Sequence, residues 1–255
     1  MRVGVCGAGG RMGGTVCAAV AADPDLELVA AVDPRAAGDT VEGIPIAKEL
    51  KAFADLAAEV VVDFTVADAA RTTVPWLAMH GIHAVVGTTG LTDDDLALFA
   101  QEFCSGGPSC VVAPNFSISA VLMMRCAELA APFFDTAEII ELHHDGKADA
   151  PSGTAVATAQ RMAAASDQWA ADPTRAEVLP GARGGTGAAG IHVHSVRMRG
   201  MVAHQEVILG ALGQTLTIRQ DTYDRESFTP GVLLACKRIG DHPGLTVGLE
   251  KLLGL

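Results

Sequence analysis

The chain has 255 residues, of which 49% are hydrophobic and 19% are charged. This composition is typical of a globular protein with a buried core, and it excludes disorder, collagen and coiled coil as descriptions of the whole chain. At roughly 150 residues per domain, the length predicts one large domain or two modest ones. Eighteen Lys and Arg against thirty Asp and Glu give a net charge of −12. We therefore expect no nucleic-acid or membrane partner, because an acidic surface repels phosphates and no basic run offsets it.

Three features of the sequence predict a reduced, cytoplasmic protein. The six cysteines form no C-x-x-C pair and are expected to behave as small buried apolar residues. No apolar run approaches the roughly 18 residues that a membrane span needs. Met1-Arg2 leads directly into a glycine-rich turn, a start unlike that of a signal peptide.

The first part of the chain alternates short apolar runs with helical stretches. The runs are rich in Val and nearly continuous in apolar character, as strands buried on both faces of a parallel sheet are. Helices are predicted between them at about 11–22, 47–58, 67–80 and 92–104. The predicted strands are Arg2–Cys6, Leu26–Val32, Val60–Phe64, His83–Val86 and Ser109–Ala113.

After Asn115 the pattern changes. One apolar strand is predicted at 136–143, and three strands at 191–198, 204–209 and 215–220 alternate apolar and polar residues, which predicts antiparallel pairing with one wet face. Helices are predicted at 117–131, 151–165 and 224–239, with a Gly/Pro-rich loop at 180–190. The fold class is therefore α/β, with a Rossmann-like doubly wound parallel sheet and a second α+β domain built on an open mixed or antiparallel sheet.

A glycine-rich turn lies directly after the first predicted strand and opens the first helix. It has the spacing G-x-x-G-x-x-G, from Gly7 to Gly13. Glycines allow the backbone to approach a pyrophosphate, and the helix start offers free N–H groups and a positive dipole end. Asp33 follows at the end of the second strand, where an acid would bind a ribose hydroxyl. The combination predicts dinucleotide binding rather than a purely structural turn.

The choice between NADH and NADPH stays open at the level of sequence. Asp33 favours an unphosphorylated ribose, because a 2′-phosphate would meet a carboxylate. Arg11 and Arg35 stand close by in the sequence and could pair with that phosphate, although both could equally be solvated surface residues. We expect NADH to be at least usable.

Two further loops follow predicted strands at the edge where open α/β sheets bind ligands. The loop at 87–90 reads Gly-Thr-Thr-Gly, and the loop at 113–116 reads Ala-Pro-Asn-Phe. Taken alone, each is as well explained by ordinary turn chemistry as by function.

The densest polar cluster reads EIIELHHDGKADAPSGTA, from Glu138 to Ala155. In an extended strand His143 and His144 would point to opposite faces, so they are not expected to chelate one metal. Lys147 follows across a turn, and Ser152 then opens a helix whose N–H groups could hold an anion. Cationic groups beside an anion-binding helix start suit a carboxylated substrate that needs a proton.

Two weaker signals have simpler explanations. His192 and His194 alternate on one strand and could share a metal, but no further ligand stands at a suitable spacing, so a polar sheet face is the better interpretation and no metal is predicted. Arg183, in the glycine-rich loop, could be a mobile substrate clamp, and a solvated loop arginine is the safer interpretation.

These motifs together resemble the 4-hydroxy-tetrahydrodipicolinate reductase family, also called dihydrodipicolinate reductase. The resemblance runs from the GAGGRMG start through GTTG, APNF and the eighteen-residue cluster to SFTPGVLLA and PGLTVGLE near the C-terminus. The cluster is highly specific, whereas the glycine motif is not. The resemblance implies an NAD(P)H-dependent oxidoreductase that makes tetrahydrodipicolinate and water from a small dicarboxylate, on the diaminopimelate route of lysine biosynthesis.

The resemblance also implies roles for individual residues. His143 would be the acid/base histidine and Lys147 the proton donor, while His144, Gly153 and Thr154 would bind substrate carboxylates. The implied cofactor site consists of Gly7, Ala8, Gly9, Gly10, Arg11, Met12, Asp33, Gly87, Thr88, Thr89, Ala113, Pro114, Asn115 and Phe116.

The resemblance further implies a homotetramer joined through the open sheets, and a C-terminal segment that returns to the first domain. We therefore predict a dinucleotide-binding domain at 1–115 plus about 228–255, and a substrate-binding and oligomerisation domain at 116–227.

One departure from the family concerns the substrate site. Many members carry a basic or histidine-containing dipeptide between the histidine pair and the lysine, where this chain has Asp145-Gly146. An added carboxylate should weaken the binding of a dianion unless it points away or pairs with Lys147, and such a pair would raise the pKa of the lysine.

Two other classes of protein remain as alternatives. A homoserine or aspartate dehydrogenase would fit the first domain but would not explain the cluster at 138–155. A catalytically silent dinucleotide sensor would keep the glycine motif and lose the cluster.

Overall fold

The computed structural model describes residues 1–104 and 106–255. These residues fall into two compact units, Met1–Ile118 with Arg225–Leu255, and Ser119–Asp224. Among the described residues, no helix is both long enough and apolar enough to cross a lipid bilayer.

The first unit is built on an eight-stranded sheet in the order β13-β7-β6-β5-β1-β2-β4-β3. Every pairing in it is parallel except that of β3 with β4. The strands are β1 Arg2–Cys6, β2 Glu27–Val32, β3 Thr40–Val41, β4 Ile44–Ala47, β5 Val60–Asp63, β6 His83–Val86, β7 Cys110–Val112 and β13 Leu245–Val247. The helices are α1 Arg11–Ala22, α2 Lys51–Asp55, α3 Ala67–Met79, α4 Asp93–Glu102, α7 Thr229–Arg238 and α8 Glu250–Leu253.

The central strands of this sheet are buried on both faces. All four residues of β5 are fully buried, as are Val3 and Val5 of β1. Such strands are continuous apolar runs, because helices cover both faces of a parallel sheet. The prediction of a doubly wound sheet is confirmed.

The predicted helix at 47–58 is too long at both ends, because α2 spans only Lys51–Asp55. A short hairpin of β3 and β4 precedes it and ends at Ala47, and the turn of this hairpin has Glu42 at φ 47° and Gly43 at φ 77°. The hairpin was not predicted because its strands are very short, and the pairing of β4 with β2 depends on tertiary contacts that a local pattern does not show.

The second unit carries a five-stranded sheet in the order β12-β11-β8-β10-β9. Its strands are β8 Thr136–His143, β9 Gly185–Thr186, β10 His192–Arg197, β11 Ala203–Ala211 and β12 Gln214–Thr222. Its two α-helices are α5 Ile118–Ala130 and α6 Gly153–Ala165. One face of β8 is closed by residues such as Ala137, Ile139 and Glu141, all of them buried.

The strand directions in this sheet differ from the simplest prediction. β10 runs parallel to β8, with Arg197 opposite His143, whereas β11 runs antiparallel to β8. The sheet is therefore mixed rather than antiparallel throughout. The parallel pair arises because α6 and a long loop connect β8 to β10, and a connection of that length permits a crossover.

The C-terminal segment also differs in detail. The predicted helix at 224–239 begins as a 3₁₀ turn over Arg225–Phe228, and only Thr229–Arg238 is α-helical. Strand β13 and helix α8 follow, and neither was predicted from the sequence.

Phe53 is the residue on which the packing of α2 depends most directly. It is fully buried, and a Cβ placed on Gly4 of β1 would lie 2.6 Å from Phe53 Cδ1. We expect Phe53→Ala to lower the free energy of unfolding by about 3–5 kcal/mol, because it leaves a cavity against β1. Urea unfolding followed by circular dichroism measures this. Leu56→Ala is the matched control, since Leu56 is 46% exposed. An equal loss of unfolding free energy in both variants would contradict the role of Phe53 in packing α2 against β1.

Candidate active site

The glycine-rich turn after β1 has the geometry that a dinucleotide-binding loop requires. Gly7 has φ +80°, and its N–H donates to Val32 O at 2.8 Å. A Cβ on Gly7 would lie 2.8 Å from the Phe64 carbonyl oxygen, so no other residue fits without a shift. Gly10 caps α1 without a side-chain hydrogen bond, and the first turn carries no acid. The start of α1 is therefore suited to an anion such as a pyrophosphate.

Asp33 lies one residue after β2 and is 3% exposed. Its Oδ1 accepts a hydrogen bond from Arg35 N at 2.9 Å, which fixes the carboxylate by an Asx-type turn. A Cβ on Gly9 would lie 2.4 Å from Ala36 Cβ and 3.1 Å from Asp33 Oδ2, so the turn can approach Asp33 this closely only with glycine at this position. Arg35 is 84% exposed and Arg11 is also exposed.

The loops that follow β5, β6 and β7 pack on one another through aromatic rings. The centroids of Phe64 and Phe116 are 5.7 Å apart. A Cβ on Gly87 would overlap the Phe64 ring, so Gly87 is required for this close approach. Thr88 is buried while Thr89 is exposed, and Asn115 is half-buried and accepts from Ser117 N at 2.8 Å. The structure thus brings the predicted cofactor residues of these loops together at one sheet edge.

In the second unit the predicted catalytic cluster is organised by one buried carboxylate. Glu141 of β8 is fully buried, and its two oxygens accept from the two Arg197 guanidinium nitrogens at 2.8 Å each. Glu141 Oε1 also accepts from Ser152 N at 3.1 Å, and Oε2 lies 2.5 Å from His143 Nδ1. Burial would raise the pKa of Glu141, but the hydrogen bonds from Arg197, Ser195 and His143 outweigh it and lower the pKa.

The ionised Glu141 determines which ring nitrogen of His143 carries the hydrogen. A carboxylate only accepts hydrogen bonds, so His143 Nδ1 carries the hydrogen and Nε2 is left as the second functional nitrogen. Burial lowers the pKa of His143; Glu141 raises it, and the cations of Lys147 and Arg197 lower it again, with a net shift below the usual value. The ring is therefore neutral at physiological pH.

Lys147 is held by Asp149 and not by Asp145. Its Nζ donates to the two Asp149 carboxylate oxygens at 2.7 and 2.9 Å, and Arg197 donates to the Asp149 backbone oxygen at 2.7 Å. Asp145 instead pairs with Arg199 at 3.0 Å, at an exposed position. Of the two alternatives that the sequence left open for Asp145, pairing with Lys147 is therefore wrong, and the carboxylate bonds to another cation instead.

The start of α6 lies beside this cluster. Ser152 is the N-cap, with its Oγ accepting from Ala155 N at 3.2 Å, and the first turn of the helix has no acid. The helix begins at Gly153 rather than at Pro151 as predicted. Gly153 is exposed and Thr154 half-buried, while His144 is exposed in the turn after β8. The five predicted catalytic and substrate-binding residues thus all lie between positions 143 and 154. Glu141 connects the two ends of this segment, because it bonds both to His143 and to Ser152 N.

The three residues with weaker sequence signals, His192, His194 and Arg183, all lie within ion-pair distance of a carboxylate. His194 Nε2 lies 2.7 Å from Glu138 Oε2, and His192 Nε2 lies 3.0 Å from Asp172 Oδ2. Arg183 bonds to both of these carboxylates, so the interpretation of Arg183 as a solvated loop residue is wrong. In the part of the chain that the structure describes, no group of three His, Cys, Asp or Glu side chains could hold a metal ion.

The roles of Glu141, Asp149 and Arg197 are apparent only in the structure. Glu141 had a usable signal, because it is an acid on the inward face of an apolar strand, two residues before His143. Asp149 stands next to the lysine in the quoted cluster, but its spacing does not distinguish it from Asp145. Arg197 had no local signal, since its position opposite His143 depends on the parallel pairing of β10 with β8.

Comparison with known proteins agrees with this geometry. The family model described as "Dihydrodipicolinate reductase, N-terminus" matches residues 1–116, and the one described as "Dihydrodipicolinate reductase, C-terminus" matches residues 119–253. The chain belongs to the dihydrodipicolinate reductase family. Family members are oxidoreductases, and their Rossmann-like fold implies a nicotinamide cofactor.

Individual relatives cover the whole chain. The chain is 50% identical over 260 residues to a 4-hydroxy-tetrahydrodipicolinate reductase from Corynebacterium urealyticum, covering 100% of this chain and 99% of the relative. It is 50% identical over 258 residues to the enzyme of that name from Mycobacterium marinum, covering 100% of each.

Solved structures give a similar result for the fold. A dipicolinate-bound dihydrodipicolinate reductase from Paenisporosarcina sp. TG-14 has a TM-score of 0.87 and 36% identity, and covers 98% of each chain. An aspartate dehydrogenase from Thermotoga maritima, one of the alternative classes, has a TM-score of 0.53 at 12% identity, covers 93% of this chain and 96% of its own, and shares the fold alone.

The ionisation of His143 is open to direct measurement. Nuclear magnetic resonance titration of the imidazole, assigned by comparison with His143→Asn, should give a pKa below the usual histidine value of about 6.5. Glu141→Gln should lower that pKa further, because it removes the negative charge that favours the imidazolium.

Asp145→Asn is the control for this titration and should leave the His143 pKa in place, because Asp145 is paired with Arg199. A rise in the pKa of His143 on replacing Glu141 would contradict the arrangement. Since folding lowers this pKa, the contribution of His143 to stability is present above the unfolded value and is lost as pH falls through the folded value.

Proposed function

We propose that the chain is a 4-hydroxy-tetrahydrodipicolinate reductase. The observation that carries the proposal is the hydrogen-bond network of Glu141, in a chain 50% identical over its full length to a curated reductase of that name. Glu141 bonds to His143 and to Ser152 N at the start of α6, and through Arg197 and Asp149 the network extends to Lys147. The reaction consumes 4-hydroxy-tetrahydrodipicolinate, a reduced nicotinamide cofactor and a proton. Its products are tetrahydrodipicolinate, the oxidised cofactor and water.

The residues of the first unit fit a dinucleotide. The positive φ of Gly7, the close approach at Gly9 and the free start of α1 form a cradle that a Cβ would fill. Gly7 to Met12 would hold the pyrophosphate and Asp33 a ribose hydroxyl, with Gly87 to Thr89 and Ala113 to Phe116 on the neighbouring loops. When bound, a reduced nicotinamide supplies the hydride.

NADH is the cofactor that the Asp33 geometry favours. The carboxylate is buried and fixed at the end of β2, where it would accept from a ribose hydroxyl and repel a 2′-phosphate. The Arg35 side chain is 84% exposed, with its Nε 3.7 Å from Asp33 Oδ1, and a guanidinium at this place could also pair with that phosphate, which supports some use of NADPH. We propose that both cofactors are used, with NADH at least as effective.

The second unit would bind the dianionic substrate and supply the proton. Gly153 and Thr154 stand at the start of α6, where backbone N–H groups and the helix dipole favour a carboxylate, and His144 would add a second contact. Lys147 would donate the one proton that neutralises the carbanion formed by hydride addition, and the neutral His143 would orient Lys147. The loss of the 4-hydroxyl as water completes the atom balance.

The proposal assigns the first unit to cofactor binding and the second to substrate binding and oligomerisation. The homotetramer and the cytoplasmic location stay predictions.

A coupled assay tests the proposed reaction. A synthase that condenses pyruvate with aspartate semialdehyde generates the substrate in place, and oxidation of NADH or NADPH is followed by absorbance. Rapid oxidation that depends on the synthase is expected, and the ratio of the two rates gives the cofactor preference. Tight NADH binding without turnover would favour a silent sensor, and turnover of aspartate or homoserine instead would favour the alternative dehydrogenases.

Replacement of Lys147 tests the assignment of the proton donor. We expect Lys147→Ala to lower kcat by on the order of 10²–10⁴-fold, the usual effect of losing a general acid, with NADH affinity little changed. Arg199→Ala removes an exposed cation from the neighbouring loop and is the matched control, expected to retain kcat. Equal losses of kcat and NADH affinity in Lys147→Ala would argue against the role.

A further inference from the structure

A buried carboxyl group in the first unit has no part in the reaction described above. Asp63 ends β5, at the edge of the sheet where the predicted cofactor loops meet, and it is fully buried. Burying a carboxyl group is costly unless hydrogen bonds compensate. An acid at this position therefore needs a physical reason beyond the packing of β5.

The hydrogen bonds of Asp63 all converge on one of its two oxygens. Oδ1 accepts from Thr65 N at 3.0 Å, from Thr65 Oγ1 at 2.7 Å and from Thr88 Oγ1 at 2.7 Å. Thr65 N also donates to Thr88 Oγ1 at 2.9 Å. One oxygen atom thus ties the loop after β5 to the loop after β6.

The second oxygen of Asp63 has a different environment. Oδ2 is buried and has no hydrogen-bond partner among residues 1–104 and 106–255. Burial raises the pKa of Asp63, although the hydrogen bonds from Thr65 and Thr88 partly offset this. This direction favours the protonated form, which would place less negative charge beside a cofactor that is itself anionic.

This arrangement changes the role expected of Thr88. The family resemblance implies a place for Thr88 in the cofactor site, but its hydroxyl donates inward to Asp63 and the residue is 4% exposed. The neighbouring Thr89 is exposed, and Gly87 packs closely on Phe64. The hydroxyl of Thr88 therefore holds the loop, and the backbone and the neighbours of Thr88 are left for a ligand.

We propose that Asp63 is a positioning residue for the dinucleotide, which acts by locking Thr65 and the loop of residues 87–89 into the conformation that binds the cofactor. The inference rests on the proposed function only in that the first unit binds a nicotinamide dinucleotide. It adds a residue to that site, and it predicts that cofactor affinity depends on an acceptor atom which makes no contact with the cofactor.

Variants of the full chain test this by NADH binding, measured by fluorescence titration without substrate. Asp63→Leu preserves the size of the side chain and removes the acceptor, and it should raise the Kd for NADH about 10- to 100-fold, the range expected when buried donors lose their partner. Asp63→Asn keeps an oxygen that can accept the same three bonds, and it should restore the Kd to within about threefold of the wild type.

Kinetics and a matched pair of threonine variants separate positioning from loss of stability. In Asp63→Leu the KM for NADH should rise while kcat at saturating NADH falls much less. Thr88→Val and Thr73→Val each remove one buried hydroxyl from this unit, but only Thr88 bonds to Asp63. Thr88→Val should weaken NADH binding, and Thr73→Val should not, even if both lower the melting temperature equally. This pair decides the question if Asp63→Leu does not fold.

The outcomes distinguish the inference from the proposed function. If the wild-type chain binds neither NADH nor NADPH, the proposed function fails and the inference fails with it. If the wild type binds and Asp63→Leu or Thr88→Val binds equally well, the inference alone is overturned. A Kd for Asp63→Asn as high as that for Asp63→Leu would also overturn it, because the acceptor geometry would then not be the cause.

Discussion

The ion pair between Glu141 and Arg197 is the constraint on which the rest of the second unit depends. Two parallel hydrogen bonds of 2.8 Å hold a fully buried carboxylate, and such a pair is very costly to break from one side because the other charge is left buried. From that fixed point the carboxylate sets the tautomer of His143 and holds the backbone of Ser152 at the start of α6. Arg197 reaches on to the carbonyl of Asp149, whose side chain holds Lys147. One buried charge pair therefore orders a histidine, a lysine and a helix terminus.

The first unit differs in that its proposed site is formed mainly by backbone. Glycines occupy positions where a Cβ would collide with the neighbouring chain, and no side chain caps the start of α1. The overall charge of −12 opposes the binding of an anion, so local geometry has to supply the attraction. In the proposed site, backbone N–H groups and the helix dipole would supply this attraction, with Arg11 at the first position of α1.

Most elements of both units could be predicted from the sequence, and the exceptions have physical causes. β1 and β8, for example, have the predicted bounds, because their apolar runs are continuous or regular. The β3–β4 hairpin and β13 are very short, and they join the sheet only through the pairing of β4 with β2 and of β13 with β7. The direction of β10 could not be predicted either, because alternation of apolar and polar residues is the same in parallel and antiparallel strands.

The sequence by itself determined the chemistry that is available: the glycine turn after β1, the acid after β2, and the histidine, lysine and helix start between 143 and 154. These are local features, and each can be recognised from its own spacing in the sequence. Only the tertiary structure decided which charges meet. Arg197 reaches Glu141 from another strand, Asp145 faces Arg199, Lys147 takes Asp149, and the hydroxyl of Thr88 turns inward to Asp63. Ion pairs depend on distances of a few ångströms between groups, and for partners far apart in the chain those distances exist only once the strands have paired.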